Sequence, residues 1–265
     1  MVARARAAGR LGDVVAMSDF NNRYPGAIPA PETMAVDQGL RSFMLGIYNK
    51  LFIGLLVATA LAWVTSSVPA VRDLMYVINA NGQVTGFTPL GLGVNFAPLV
   101  LILGSMFLMK NPSAGSASLL YWLIVATMGA SMGVWLLIYT GASAVLTLGV
   151  TAAAFGGLSL FGYTTKKNLT GMGSFLIMAL IGLIVASVVN IFLQNPLFNI
   201  IISAAGALIF AGLIAYDTQR LKMTYYAVGG DKDALAVATS YGALTLFINF
   251  VNLFRFLLMF LGVRR

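Results

Sequence analysis

The residue best suited to chemistry in this chain is an acid at the end of a long apolar run. Asp217 closes the run that begins near Phe198, and no neighbouring loop readily explains it. An ionisable group at membrane depth costs a few kcal/mol and persists mainly where it has a purpose. Asp217 is therefore a candidate titrating residue. An interfacial carboxylate that pairs with Arg220 or Lys222 near a helix end is the alternative that these residues leave open.

A second set of polar residues lies inside the last apolar segment of the chain. At about 100° per residue, four of them fall within an arc of about 80° on one helix. The four are Tyr241, Thr245, Asn249 and Asn252. Arg255 lies at the edge of this polar stripe and deeper than the final two arginines, so we expect it to face protein or water. The side chains of such a stripe either form hydrogen bonds between helices or line a polar pathway through the membrane, and the sequence alone favours neither.

Composition limits which elements can position these side chains. Hydrophobic residues make up 59% of the 265, charged residues only 9%, and the mean hydropathy is +0.90. That balance predicts a membrane protein with the lipid bilayer as its main partner. Cysteine and histidine are absent, which excludes a Ser-His dyad, a papain-like site, histidine-ligated haem and a conventional zinc site. The net charge of +8 is not clustered with exposed aromatics, so nucleic acid is not an expected partner.

Seven apolar segments are long enough to cross a hydrocarbon core about 30 Å thick, which takes about 20 residues. The sequence predicts an all-α membrane protein, a seven-transmembrane-helix bundle spanning residues 45–265. Residues 1–44 are polar and proline-containing and are predicted to be a disordered cytoplasmic tail. Residues 1–12 are rich in Arg and Ala; a transit peptide and a true start at Met17 explain them equally well. The predicted spans are 48–68, 89–109, 117–138, 142–163, 172–193, 197–219 and 238–262.

The distribution of basic residues predicts the orientation of the bundle. With the N-terminus in the cytoplasm, twelve Lys and Arg residues fall on that side and three, Arg72, Arg264 and Arg265, on the other. Cytoplasmic segments carry the excess of Lys and Arg, so we expect the N-terminus inside and the C-terminus outside. The twelve are Arg4, Arg6, Arg10, Arg23, Arg41, Lys50, Lys110, Lys166, Lys167, Arg220, Lys222 and Lys232.

Small residues are frequent in the third and fourth spans, and they predict close helix packing. Gly129 and Gly133 have small-xxx-small spacing, which lets helix backbones approach where no hydrophobic effect drives association in lipid. Gly149, Gly156 and Gly162 recur along the fourth span. Tight packing is favoured over a substrate path for these residues.

Two motifs resemble signatures of the Bax inhibitor-1 family, and the likeness extends over about residues 40–263. It includes Ser113-Ala114-Gly115 and the spacing of Trp122, Gly129 and Tyr139. The two motifs are Ala215-Tyr216-Asp217-Thr218-Gln219 and Leu246-Phe247-Ile248-Asn249-Phe250-Val251-Asn252-Leu253-Phe254. The resemblance implies a seven-helix bundle with the last helix central, a bacterial inner (plasma) membrane location, and a pH-sensitive calcium leak controlled by two aspartates between helices six and seven.

Asp217 matches the first of these aspartates, whereas Asn249 stands where the second is expected. Two carboxylates a few ångströms apart titrate as a coupled pair, and Asn249 cannot titrate. We therefore expect weaker calcium binding and a shallower pH dependence than in a two-aspartate member. The family also implies a basic residue near the pair. The candidate counter-ions are Arg220, Lys110 and Arg255.

The sequence thus predicts a cation-leak protein with Asp217 as its gate, no cofactor or bound metal, and Ca²⁺ as a candidate transported ion. The alternative is a non-conducting scaffold that binds other membrane proteins, such as a quality-control protease, through the tail or the segment 220–237. An enzyme is not expected. Tyr216-Asp217 has no second intramembrane aspartate, and Ser143 in a rhomboid-like Gly-Ala-Ser-Ala has no histidine as its base.

Overall fold

The computed structural model describes residues 38–265, and within them seven helices are long and apolar enough to cross a membrane. The predicted all-α seven-span bundle is confirmed. The third span is divided into two helices, and a short helix and two strands lie between the first two spans. The elements are α1 Gln38–Ser67, α2 Pro69–Met75, β1 Tyr76–Ile78, β2 Val84–Phe87, α3 Pro89–Leu108, α4 Ala114–Ser131, α5 Gly133–Ile138, α6 Gly141–Thr164, α7 Thr170–Leu193, α8 Pro196–Val228 and α9 Lys232–Leu261.

Side-chain caps fix where most of the spanning helices begin. Each capping side chain accepts a hydrogen bond from a backbone N–H of the first turn, which has no partner within the helix. Pro89 and Pro196 occupy the first position of α3 and α8, where a missing N–H costs nothing. The capping residues are Thr88, Ser113, Thr140, Asn195 and Asp231.

The final helix, α9, lies at the centre of the bundle, as predicted. It packs against α1, α4, α6 and α8, and α8 packs in turn on α6 and α7. Leu246, Phe247 and Leu253 of α9 are almost completely buried. We call the side of the bundle on which α1 and α9 begin and α6 and α8 end the N-terminal side.

Two predicted boundaries are wrong. The segment 220–237, left between the predicted spans 197–219 and 238–262, is mostly helical, because α8 continues to Val228 and α9 begins at Lys232. Gly229 has φ 66° and Gly230 has φ 85°, which glycine adopts without strain and which lets the chain reverse in three residues. The structure describes the first helix from Gln38, ten residues ahead of the predicted span. The rest of the predicted tail, residues 1–37, lies outside the described residues.

The third span is interrupted between Ser131 and Gly133, and neighbouring elements satisfy the backbone there. The hydroxyl of Thr65 on α1 donates to the Ala130 carbonyl at 2.9 Å, and the hydroxyl of Tyr76 on β1 donates to the same oxygen at 3.3 Å. An interrupted helix is tolerated at membrane depth only where its backbone groups find partners within the protein. The hairpin of β1 and β2, which the sequence did not predict, thus contacts the break directly.

The prediction of close helix packing is confirmed for some of the glycines and wrong for others. A Cβ on Gly129 would lie 2.5 Å from the Cα of Ala58, and one on Gly162 would overlap the Ala215 carbonyl oxygen. These positions therefore bring α4 onto α1 and α6 onto α8. Gly149 and Gly156 face open space, so the packing prediction is wrong for them.

Candidate functional site

Asp217 and Asn249 form a buried contact between the sixth span and the final helix. The Asn249 Nδ2 donates to the Asp217 Oδ2 at 2.7 Å, and each residue is only 5% exposed. Asp217 lies on a face of α8 whose neighbours Leu213 and Ile214 are also buried. Apolar packing on both helices therefore holds a carboxylate and an amide together and away from bulk water.

Arg220 completes the site from the same helix. Its Nη2 lies 3.0 Å from the Asp217 Oδ1, one turn along α8, and its guanidinium carbon lies 5.7 Å from the centre of the Tyr216 ring. The Arg220 side chain is 48% exposed, whereas that of Asp217 is 7% exposed. Asp217 thus accepts a hydrogen bond from a buried amide on one oxygen and forms an ion pair with a solvent-facing cation through the other.

The site lies near the N-terminal side of the bundle and not at its middle. Gln219, two residues after Asp217, donates to the Lys167 carbonyl at 2.8 Å and accepts from the Leu169 N–H at 2.8 Å. Both backbone groups belong to the connector between α6 and α7. Protein, more than depth in the lipid, therefore shields the carboxylate from water.

The other residues named from the sequence do not join this contact. Lys110 is exposed at the bend after α3 and forms no ion pair with Asp217. Arg255 lies with its guanidinium carbon 4.9 Å from the centre of the Trp135 ring. The Asn252 amide donates to the Ile248 carbonyl of its own helix at 2.9 Å, and Tyr241 and Thr245 are half-buried. Of the polar stripe, only Asn249 contacts Asp217. Of the three candidate counter-ions, only Arg220 lies beside this carboxylate.

Two lysines that the sequence assigned to one flank of the membrane instead lie within the bundle. Lys222 is 5% exposed, and its Nζ donates to the Tyr163 carbonyl at 2.5 Å, near the end of α6. Lys50 donates to Ser118 on α4 at 2.9 Å and to Ser240 on α9 at 2.8 Å. The apolar residues before position 48, beginning at Phe43, signal that α1 starts early and that Lys50 is inside it.

A chain of hydroxyl groups crosses three helices beside the site. The Tyr48 hydroxyl lies 2.6 Å from the Ser159 Oγ, which lies 3.1 Å from the Thr218 Oγ1. Thr218 in turn donates to the Ile214 carbonyl at 2.8 Å. These bonds fix α1 and α6 to the turn of α8 that carries Asp217. No spacing within one segment predicts them, because the three residues are far apart in the chain.

Chemically, the site offers one carboxylate, one amide oxygen and a half-exposed counter-ion. Among residues 38–265, no three acidic side chains come together as a metal ion would require. A carboxylate shared between an exposed guanidinium and a buried amide can exchange its cationic partner for a proton or a metal cation. The arrangement suits transient cation contact better than tight chelation.

Together, the fold and this buried pair define an integral membrane protein of seven spans built round its last helix. Residues 40–265 match the sequence profile of the family described as inhibitor of apoptosis-promoting Bax1. The chain therefore belongs to the Bax inhibitor-1 family, and the resemblance seen in the two motifs is confirmed.

Similar proteins occur in several bacteria. An uncharacterized protein of Caulobacter vibrioides is 60% identical over 250 residues, which cover 94% of this chain and 100% of the relative. The inner membrane protein YbhL of Escherichia coli is 37% identical over 228 residues, covering 86% of this chain and 94% of YbhL. An uncharacterized protein of Rickettsia prowazekii is 39% identical, with 86% and 92% covered.

Proposed function

We propose that this protein is a pH-sensitive leak for calcium or other cations in which Asp217 is the titrating gate and Asn249 its fixed partner. The observation that carries the proposal is the 2.7 Å bond between these two buried side chains, with Arg220 at 3.0 Å on the other carboxylate oxygen. This contact joins α8 to the central helix α9. A change in the charge of Asp217 therefore acts at the contact between the two helices that run through the core.

The gate works as an exchange of partners at one carboxylate. While Asp217 is ionised, it holds the Arg220 guanidinium against α8 and the Asn249 amide across the helix contact. When Asp217 is protonated, the ion pair is lost and the bond from Asn249 becomes a weaker bond to a neutral group. A cation arriving from the exposed side competes with Arg220 for the same oxygen.

Asn249 sets the strength of the response. Calcium affinity rises with the number of charged oxygen ligands, and this site carries at most one negative charge. One titrating group also gives a shallower pH dependence than a coupled pair of acids. Weak calcium binding and a gradual pH response are therefore part of the proposal.

Flux from calcium-loaded liposomes tests the gate. The purified protein should release calcium at a rate that changes with pH, and Asp217→Asn should remove that change because no titrating carboxylate remains. Asn249→Asp should steepen the pH response by restoring a second acid. Asp233→Asn is the matched control, since Asp233 is an exposed acid in the first turn of α9.

Three outcomes would contradict this function. Flux and pH response unchanged in Asp217→Asn would show that the buried acid does not gate. A pH response that Asp233→Asn removes equally would place the titration at the surface. The absence of any flux in the wild type would favour the non-conducting scaffold, which co-purification of membrane partners tests separately.

The proposal includes a bacterial inner membrane location with the N-terminus in the cytoplasm. The name of the Escherichia coli relative, an inner membrane protein, supports the inner membrane location. The distribution of basic residues supports the orientation. Lys50 and Lys222 have their amines inside the bundle and are therefore not counted. Ten basic residues then remain on the cytoplasmic side against three on the other, so the predicted orientation is unchanged. Alkaline phosphatase fused after residue 265 should be active, and the same fusion after Gly229 should be inactive.

A further inference from the structure

A groove of about 600 Å³ lies between the first turns of α1 and the last turns of α6. Its α1 wall includes Arg41, Leu45 and Tyr48, and its α6 wall includes Gly156 and Tyr163. Since α1 begins and α6 ends on the N-terminal side, the groove runs inward from that side. Seven residues separate its first and last α1 contacts, which is about 10 Å of helix. The groove therefore has the depth of a headgroup and the first part of an acyl chain.

The groove changes from charged to apolar along its length. Arg41 stands exposed at its outer end and forms no ion pair with any residue from 38 to 265. Its nine lining residues include no acid. A second positive charge lies behind the wall, because the Lys222 Nζ is 5.2 Å from the centre of the Tyr163 ring. Positive charge at the mouth and apolar walls below match a molecule with an anionic head and a hydrocarbon tail.

Polar groups are also present at the intermediate depth. The Tyr48 hydroxyl and the Ser159 Oγ, 2.6 Å apart, both belong to residues that line the groove. Gly156 adds open space in the wall, since a Cβ there would meet no atom within 4 Å. The hydroxyls lie where a glycerol ester would follow a phosphate bound at Arg41.

We propose that this groove is a binding site for an anionic phospholipid, such as phosphatidylglycerol. The phosphate binds Arg41, the ester region meets the hydroxyls of Tyr48 and Ser159, and an acyl chain lies deeper, along Phe155 and Gly156. A zwitterionic lipid brings its own positive charge toward Arg41 and Lys222, so the site prefers lipids with a net negative head. The bound lipid contacts the hydroxyl chain that leads to Thr218, next to Asp217.

Thermal unfolding of the purified full chain in detergent tests the preference. Phosphatidylglycerol should raise the melting temperature more than phosphatidylcholine does, because a ligand that binds only the folded state stabilises it. Arg41→Gln should abolish the difference between the two lipids, and Gly156→Trp should reduce stabilisation by phosphatidylglycerol by filling the groove. The controls are Lys167→Gln, an exposed lysine on the same side, and Gly157→Trp, an open glycine outside the groove.

Equal stabilisation of the wild type by both lipids, or an unchanged lipid preference in Arg41→Gln, would overturn the proposal. Loss of the preference in both controls as well would show an unspecific surface effect and would also overturn it.

The occupant is identified by a photoreactive benzoylphenylalanine at position 160, where Leu160 lines the groove and is 63% exposed. In bacterial membranes, adducts enriched in anionic phospholipid over its share of the bilayer support the site. Adducts in simple proportion to bilayer composition, or adducts to residues 1–37 or to a second copy of the chain, refute it.

Discussion

The bond between Asp217 and Asn249 predicts a measurable coupling between α8 and α9. Asn249→Ala removes the amide that donates to the carboxylate at 2.7 Å. Neutral side-chain bonds between membrane helices contribute about 0.6 kcal/mol on average, whereas bonds to a charged group contribute about 1.5–3 kcal/mol. The larger range applies to the ionised form of Asp217, which pairs with Arg220 at 3.0 Å. We expect a coupling energy of at least about 1.5 kcal/mol in the cycle of Asp217→Ala and Asn249→Ala, because each of these single variants removes the bond completely.

The assay is equilibrium unfolding of the two single variants and the double variant in mixed detergent micelles. The control cycle replaces Asn249→Ala with Asn252→Ala, since the Asn252 amide donates to its own helix and not to Asp217. That cycle should be additive within about 0.5 kcal/mol. A coupling below about 0.5 kcal/mol for Asn249 would refute the idea that the buried contact links the two helices energetically.

Two further predictions concern the elements that hold the site. Gly162→Leu should destabilise the bundle by about 1–3 kcal/mol because its side chain meets the Ala215 carbonyl, whereas Gly149→Leu, which faces open space, should change the free energy of unfolding by less than about 0.5 kcal/mol. Gln219→Leu should leave two backbone groups of the connector between α6 and α7 without their partner, at about 1–3 kcal/mol each. Faster tryptic cleavage after Lys166 checks the second prediction, and an unchanged rate would contradict it.

The number of spans and their type follow from the sequence because apolar length is a local property. The ends of the spans do not. Lys222 and Arg220 look like the beginning of a loop, yet α8 continues past both to Val228, and Leu221 and Lys222 are buried against the rest of the bundle. The hairpin of β1 and β2 is too short, at three and four residues, to stand out beside long apolar runs.

The candidate site was predictable in part. Asp217 and Asn249 are visible as polar residues in apolar segments, and the family motifs indicate that they meet. The i, i+3 spacing of Asp217 and Arg220 indicates their ion pair, whereas the separation of Lys110 from Asp217 depends on three-dimensional packing. The same is true of Lys50, whose partners Ser118 and Ser240 lie on two other helices.

The central position of α9 has a consequence for how the protein is made. The helix that α1, α4, α6 and α8 all contact is the last of the seven to be synthesised. Until it inserts, four of the six earlier spans lack their common packing partner, and Asp217 lacks the amide that it binds in the finished bundle. A ribosome stalled before Lys232 would therefore hold a membrane-inserted intermediate with an unfilled centre. Such a chain should be sensitive to membrane proteases until α9 enters and closes the bundle.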